Sequence, residues 1–202
     1  MKLNHLKLGL ALAVCVGRVS FASDCGAPGK EVDFTHGEAR VLVLSPDHRW
    51  EFISGGSETW KHSAKLVMLD YQTKKRWNIG SLDRNGTVFW SDDSKRLILR
   101  DEYAADDTRL RVFDLTDSGP EELYGLDRSI KRVVSSHTPQ SEESLWITYP
   151  QVCFSDGNSS LILLTVDAPH APRSGGSGKS FRLRLIIDLT TQLVHEYEDR
   201  KK

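Results

Sequence analysis

The sequence predicts an all-β fold built from short antiparallel meanders, and two repeated observations within its 202 residues carry that prediction. First, a Ser/Asp-rich turn followed by a short apolar run occurs three times. The turns are Ser45-Pro46-Asp47 before Trp50, Ser91-Asp92-Asp93-Ser94 before Leu97-Ile98-Leu99, and Ser155-Asp156-Gly157-Asn158 before Leu161. Ser and Asp side chains hydrogen-bond their own backbone in tight turns, and apolar runs this short suit buried strands. Second, each turn is followed by an apolar segment ending in Asp and turn residues: LVMLDYQT at Asp70, LRVFDLTD at Asp114 and RLIIDLTT at Asp188. Serine to aspartate takes 25, 23 and 33 residues, so two copies agree and the third carries an insertion. Such self-similarity marks a structural repeat. The shared position predicts one turn-capping job for Asp70, Asp114 and Asp188.

Taken in order, the first unit predicts strands over 39–44, 50–53, 65–70 and 76–79. The second uses 87–90, 97–100, 109–115 and 121–124, where Leu110 and Val112 alternate with charged neighbours as in a strand with one wet face. The third uses 152–154, 161–166, 181–189 and 193–197. Between the second and third units, residues 126–150 stretch the spacing between turns from 46 to 64. There Ser141-Glu142-Glu143-Ser144 is polar and Leu145 to Tyr149 is β-rich, which fits an extra strand or a short helix.

Turn, strand, loop, strand ending in Asp and closing strand together resemble the blade of a TolB-type β-propeller, whose repeat reads like F-S-P-D-G-K-x-L followed by D-L-x-T-G. The copies depart from that pattern: Pro stands only at Pro46, and Gly follows Asp only at Gly157. The resemblance implies a single domain over residues 38–202, with blades near 38–80, 85–125 and 151–198. Closed propellers have about four to eight blades, so three leave raw edges to be covered, extended or paired with another copy. The expected architecture is therefore an incomplete or small β-propeller-like array of antiparallel four-stranded blades. An open β-meander or sandwich is the alternative built from the same strands.

Residues 1–22 combine Lys2 and Lys7, the apolar run Leu8 to Val16, and Ser20-Phe21-Ala22, the pattern of a secretory signal cleaved near Ala22. The run is too short for stable membrane insertion, since a spanning helix needs about 20 apolar residues. Residues 23–37 then form an N-terminal segment. Cleavage removes Lys2, Lys7 and Arg18 but no acid, taking the formal charge from −1 to −4 and leaving no basic field for nucleic acid. Localisation is expected to be periplasmic or secreted. Cys15 leaves with the signal, and the even pair Cys25 and Cys153 predicts one disulfide, worth about 4–5 kcal/mol in the chain-entropy model.

Catalytic patterns are weak. Ser174 to Ser180 resembles the end of a phosphate-binding loop, but Arg173 stands where glycine is required, and a strand rather than a helix follows. Neither this loop nor its surroundings form a nucleophile elbow. The histidines are scattered, and the acids of Asp101 to Asp107 lack the alternation of a calcium loop, so neither a metal nor a cofactor is expected. The reading is an exported non-enzymatic interaction domain with a protein partner; a small extracytoplasmic hydrolase acting on glycans or peptides is the alternative. In a propeller blade the loop between second and third strands lies on one face. The binding residues expected there are Trp60, His62, Asp101, Glu102, Asp106, Asp107, His170, Arg173 and Lys179, a mixed-charge set with one aromatic anchor.

Overall fold

A computed structural model describes residues 30–32, 40–55, 64–82, 84–104, 107–155, 157–169 and 180–197. The first sheet is a four-strand meander, β2 (Arg40–Leu44), β3 (Trp50–Gly55), β4 (Ala64–Asp70) and β5 (Arg76–Leu82). The second is β6 (Gly86–Trp90), β7 (Arg96–Ala104), β8 (Asp107–Thr116) and β9 (Gly119–Glu122), and the third is β10 (Thr148–Ser155), β11 (Asn158–Pro169), β12 (Ser180–Asp188) and β13 (Leu193–Glu196). All pairings are antiparallel. A three-residue strand, β1 (Lys30–Val32), adds to the second sheet along β6, pairing Lys30 with Val88 and Val32 with Gly86. Among the described residues the chain is thus all-β, with three four-strand antiparallel meanders, one short helix and no closed barrel.

Two cores hold the sheets face to face, and the middle sheet contributes to both. Val88, Leu97, Leu99 and Phe113 join Val43, Trp50, Phe52, Leu66 and Met68 of the first sheet. On the opposite face Phe89, Ile98, Leu110 and Val112 join Val152, Phe154, Ile162, Leu164, Leu185 and Ile187 of the third. A strand covered on both faces has no wet side to alternate with, which is why Leu97-Ile98-Leu99 is apolar without a break. Each such side chain contributes about 1.5–3 kcal/mol by leaving water. Gly119 sits at the first contact, with φ of 130° and Trp77 so close that an added Cβ would lie 2.5 Å from its Nε1.

Residues 126–150 hold a short helix and the start of β10, with no extra strand. Helix α1 (Leu126–Ser135) buries Leu126, Ile130 and Val134, the i, i+4, i+8 stripe of an amphipathic helix. Asp127 in its first turn and Arg132 in its last complement the helix dipole. Leu145 and Ile147 are fully buried in the same core, but as irregular backbone leading into β10.

Candidate interaction face

The two ends of the sheets are built differently. At one end lie the serine turns, and the first two are the same structure. Ser45 donates its hydroxyl to Asp47 Oδ1 (2.6 Å) and Ser91 to Asp93 Oδ1 (2.8 Å), while each serine oxygen accepts the backbone N–H five residues on, Trp50 or Arg96, at 2.9 Å. Asp47 and Asp93 accept the N–H of Arg49 and Lys95, and His48 and Ser94 share a left-handed φ of 60° and 59°. The third turn is shorter, pairing Ser155 directly with Asn158 around Gly157 at φ 65°. Asn158 Oδ1 accepts the Ser160 N–H there.

These turns also lock neighbouring sheets together. Asp47 N–H donates to Ser94 Oγ (3.0 Å), Ser159 donates to Asp93 Oδ2 (2.8 Å), and Arg96 reaches Ser159 O and Ser160 Oγ. Arg49 bridges Asp70 of its own sheet and Asp117 of the next. Burial alone would raise the carboxyls of Asp47, Asp70 and Asp93, but hydrogen bonds from hydroxyls and backbone N–H groups outweigh it and hold all three below the usual carboxylate value. Asp70 and Asp188 begin matching turns, each accepting the N–H groups two and three residues on. Asp114 does not share that job: β8 runs on to Thr116, and Asp114 instead takes Arg96 Nε at 2.6 Å.

From the turns, β3, β7 and β11 run to the opposite end, where the second strand of each sheet connects to the third. There several of the described charges pair with one another. Arg109 donates to Asp101 (2.7 Å), Arg100 to Glu102 (3.2 Å) and Lys131 of α1 to Asp107 (3.4 Å). Asp107 also accepts the Ile147 N–H (3.1 Å), and Thr108 N–H donates back to Ile147 O. Asp127 accepts the Tyr149 hydroxyl (2.8 Å), with the Leu110 N–H at 3.4 Å. Burial pushes the Asp127 carboxyl up and the nearby Asp107 charge adds to it; Tyr149, Lys131 and the Leu110 N–H pull only part of the way back.

Of the residues expected to form a binding surface, three fall within the described chain. Asp101 and Asp107 are buried in ion pairs, and Glu102 is partly exposed beside Arg100. Trp60, His62, Asp106, His170, Arg173 and Lys179 lie outside the described residues. Arg109, Asp127, Lys131 and Tyr149 belong to this end too, and sequence reasoning passed over them. The signal available for Asp127 and Lys131 was their i, i+4 spacing beside the Leu126, Ile130, Val134 stripe. Cys153 is buried in β10; its expected partner Cys25 is outside the described residues. Among the described residues no cluster of three His, Cys, Asp or Glu side chains could hold a metal ion, and no helix is long and apolar enough to cross a membrane.

No family model and no curated protein matches the chain. Among solved structures it is distantly similar to TolB from Acinetobacter baumannii, at 15% identity and a TM-score of 0.30, over 87% of this chain. The chain spans 50% of the length of that one.

Proposed function

We propose that this chain is an exported, non-enzymatic interaction domain of diverged TolB-type propeller repeats, and that it binds a protein partner through the connections at the end opposite the serine turns. The contrast between the two ends supports this reading. Tight turns cross-linked by hydrogen bonds fix one end, while residues 56–63 and 170–179 join strands at the other with lengths that differ from the short 105–106 connection. Loops that vary on a fixed scaffold are where binding residues concentrate. Trp60 supplies the large aromatic surface typical of an energetic anchor, and Arg173 a planar charged group. Export and a Cys25–Cys153 bridge belong to the same proposal, since an oxidising compartment preserves a disulfide.

The test is capture from the extracytoplasmic fraction with the mature protein as bait, repeated with Trp60→Ala and Arg173→Ala in folded, exported protein. Each substitution is expected to weaken capture of the same partner. Capture unaffected by both would reject this end as the binding surface, and hydrolase turnover by the purified domain with no captured partner would reverse the reading. Non-reducing peptide mapping should find Cys25 joined to Cys153. Recovery of both as free thiols without reductant would exclude the bridge.

A further inference from the structure

Two asparagines stand in the pattern Asn-x-Ser/Thr, the acceptor for N-linked sugar in exported proteins: Asn85-Gly86-Thr87 and Asn158-Ser159-Ser160. Each has a small middle residue and an aspartate two places upstream, Asp83 or Asp156, so local sequence does not separate them. The fold does. Asn85 is half-buried just before β6, and its carbonyl accepts the Glu102 N–H at 3.0 Å. Gly86 is buried between Val32 of β1 and Asp101 of β7, so tightly that an added Cβ would lie 2.9 Å from Arg100 O. The Thr87 hydroxyl accepts a hydrogen bond from Arg100 Nη2 (2.8 Å), and Thr87 is buried.

Asn158 is the opposite case. It is exposed in the third serine turn, next to exposed Gly157. Its Oδ1 accepts the Ser160 N–H at 2.9 Å, and its Nδ2 makes no hydrogen bond among the described residues. Other groups anchor the turn: Ser159 donates to Asp93, and Arg96 donates to Ser159 O and Ser160 Oγ. A substituent on Nδ2 therefore removes no hydrogen bond from the fold.

We propose that Asn158 carries an N-linked glycan, transferred from a lipid-pyrophosphate-linked oligosaccharide. Nδ2 bonds to the anomeric carbon of the sugar and loses one proton. The bond from that carbon to the pyrophosphate oxygen breaks, and the lipid pyrophosphate leaves with the electron pair. The amide keeps its carbonyl oxygen, so the bond to the Ser160 N–H survives. The sugar stands at the serine-turn end and leaves the proposed partner site at the opposite end uncovered. The inference rests on the export reading, because the acceptor pattern has meaning only in an exported chain.

Mass spectrometry of proteolytic peptides from the protein, purified from the extracytoplasmic fraction of its own cells, tests this. The Asn158 peptide is expected to be heavier by an oligosaccharide, and the Asn85 peptide to have its bare mass. Asn158→Asp keeps an oxygen for the Ser160 N–H but removes the acceptor nitrogen, so the mass shift should vanish with an unchanged circular dichroism spectrum. Ser160→Thr should retain the shift, since it keeps the hydroxyl the pattern requires, and Ser160→Ala should lose it. Signal-cleaved protein with a bare Asn158, or with sugar on Asn85 in its place, would overturn the proposal while leaving export standing. Protein recovered only inside the cell, with residues 1–22 still attached, would overturn both.

Discussion

The serine-turn end and the helix end of this molecule solve the same problem, holding carboxylates where sheets meet, by opposite means. At the turns the acids are satisfied mainly by neighbours in sequence: Asp47 takes Ser45 and Arg49, Asp93 takes Ser91 and Lys95, and Asp70 takes Gln72 and Thr73. At the helix end the partners are remote. Asp107 holds Lys131 and Ile147, and Asp127 holds Tyr149. Local partners form as the turn forms and therefore repeat from sheet to sheet. Remote partners exist only once helix, hairpin and β10 are assembled, and among the described residues this arrangement occurs around the second sheet.

The largest expected effect breaks the remote arrangement. Asp107→Ala strands a mostly buried Lys131 ammonium and the buried Ile147 N–H, so unfolding in urea should show a loss of about 3–5 kcal/mol. A loss under about 1 kcal/mol would mean that apolar packing of Ile130 and Val134, and not the polar clasp, holds α1 in place. Next comes the local arrangement: Ser91→Ala removes the acceptor of the Arg96 N–H and a donor to Asp93, at a cost of about 1–3 kcal/mol. Ser45→Ala should come close to it, because Ser45 makes the same bonds to Asp47 and the Trp50 N–H, and Ser91 adds only a longer contact to Arg96 O at 3.2 Å. Unequal losses would show that the inter-sheet bonds of the second turn, and not its internal ones, set its stability.

This division also decides what could be read from the sequence. Ser45-Pro46-Asp47 and Ser91-Asp92-Asp93 were legible because the residues that make those turns lie within the turns. The same holds for Asp70 and Asp188. Asp114 was misread because its letters match while β8 continues two residues past it, and strand length is set by pairing with β7 and β9. β1 was not legible, since three residues are too few for a pattern and its strand character comes from the edge of β6. The burial of Asp101 and Asp107 was hidden for a related reason. A run of acids reads as a solvated loop until Arg109 and Lys131 are brought beside it.

The smallest effect at neutral pH gives the sharpest contrast between the ends. Asp127 is raised above the ordinary value of 3.8 chiefly by burial, so the folded state binds its proton more tightly than the unfolded chain. Its charge therefore weakens the fold above the folded pKa, and stability returns as pH falls from there toward 3.8. Asp127→Asn keeps an oxygen for the Tyr149 hydroxyl and carries no charge, so at neutral pH it should be as stable as the wild type or more stable by up to about 1 kcal/mol. That difference should close on acidification toward 3.8. Asp70 has the opposite sign. Its lowered pKa stabilises the fold at all pH values above the unfolded value of 3.8, and that contribution is lost only as pH falls through the lower folded value. Asp70→Asn should therefore be less stable at neutral pH, with the gap closing only below 3.8. Urea titrations of both variants against pH provide the check. Parallel curves for wild type and Asp127→Asn, with the variant weaker throughout, would show that attraction to Lys131 outweighs burial and that both ends hold their acids in the charged form.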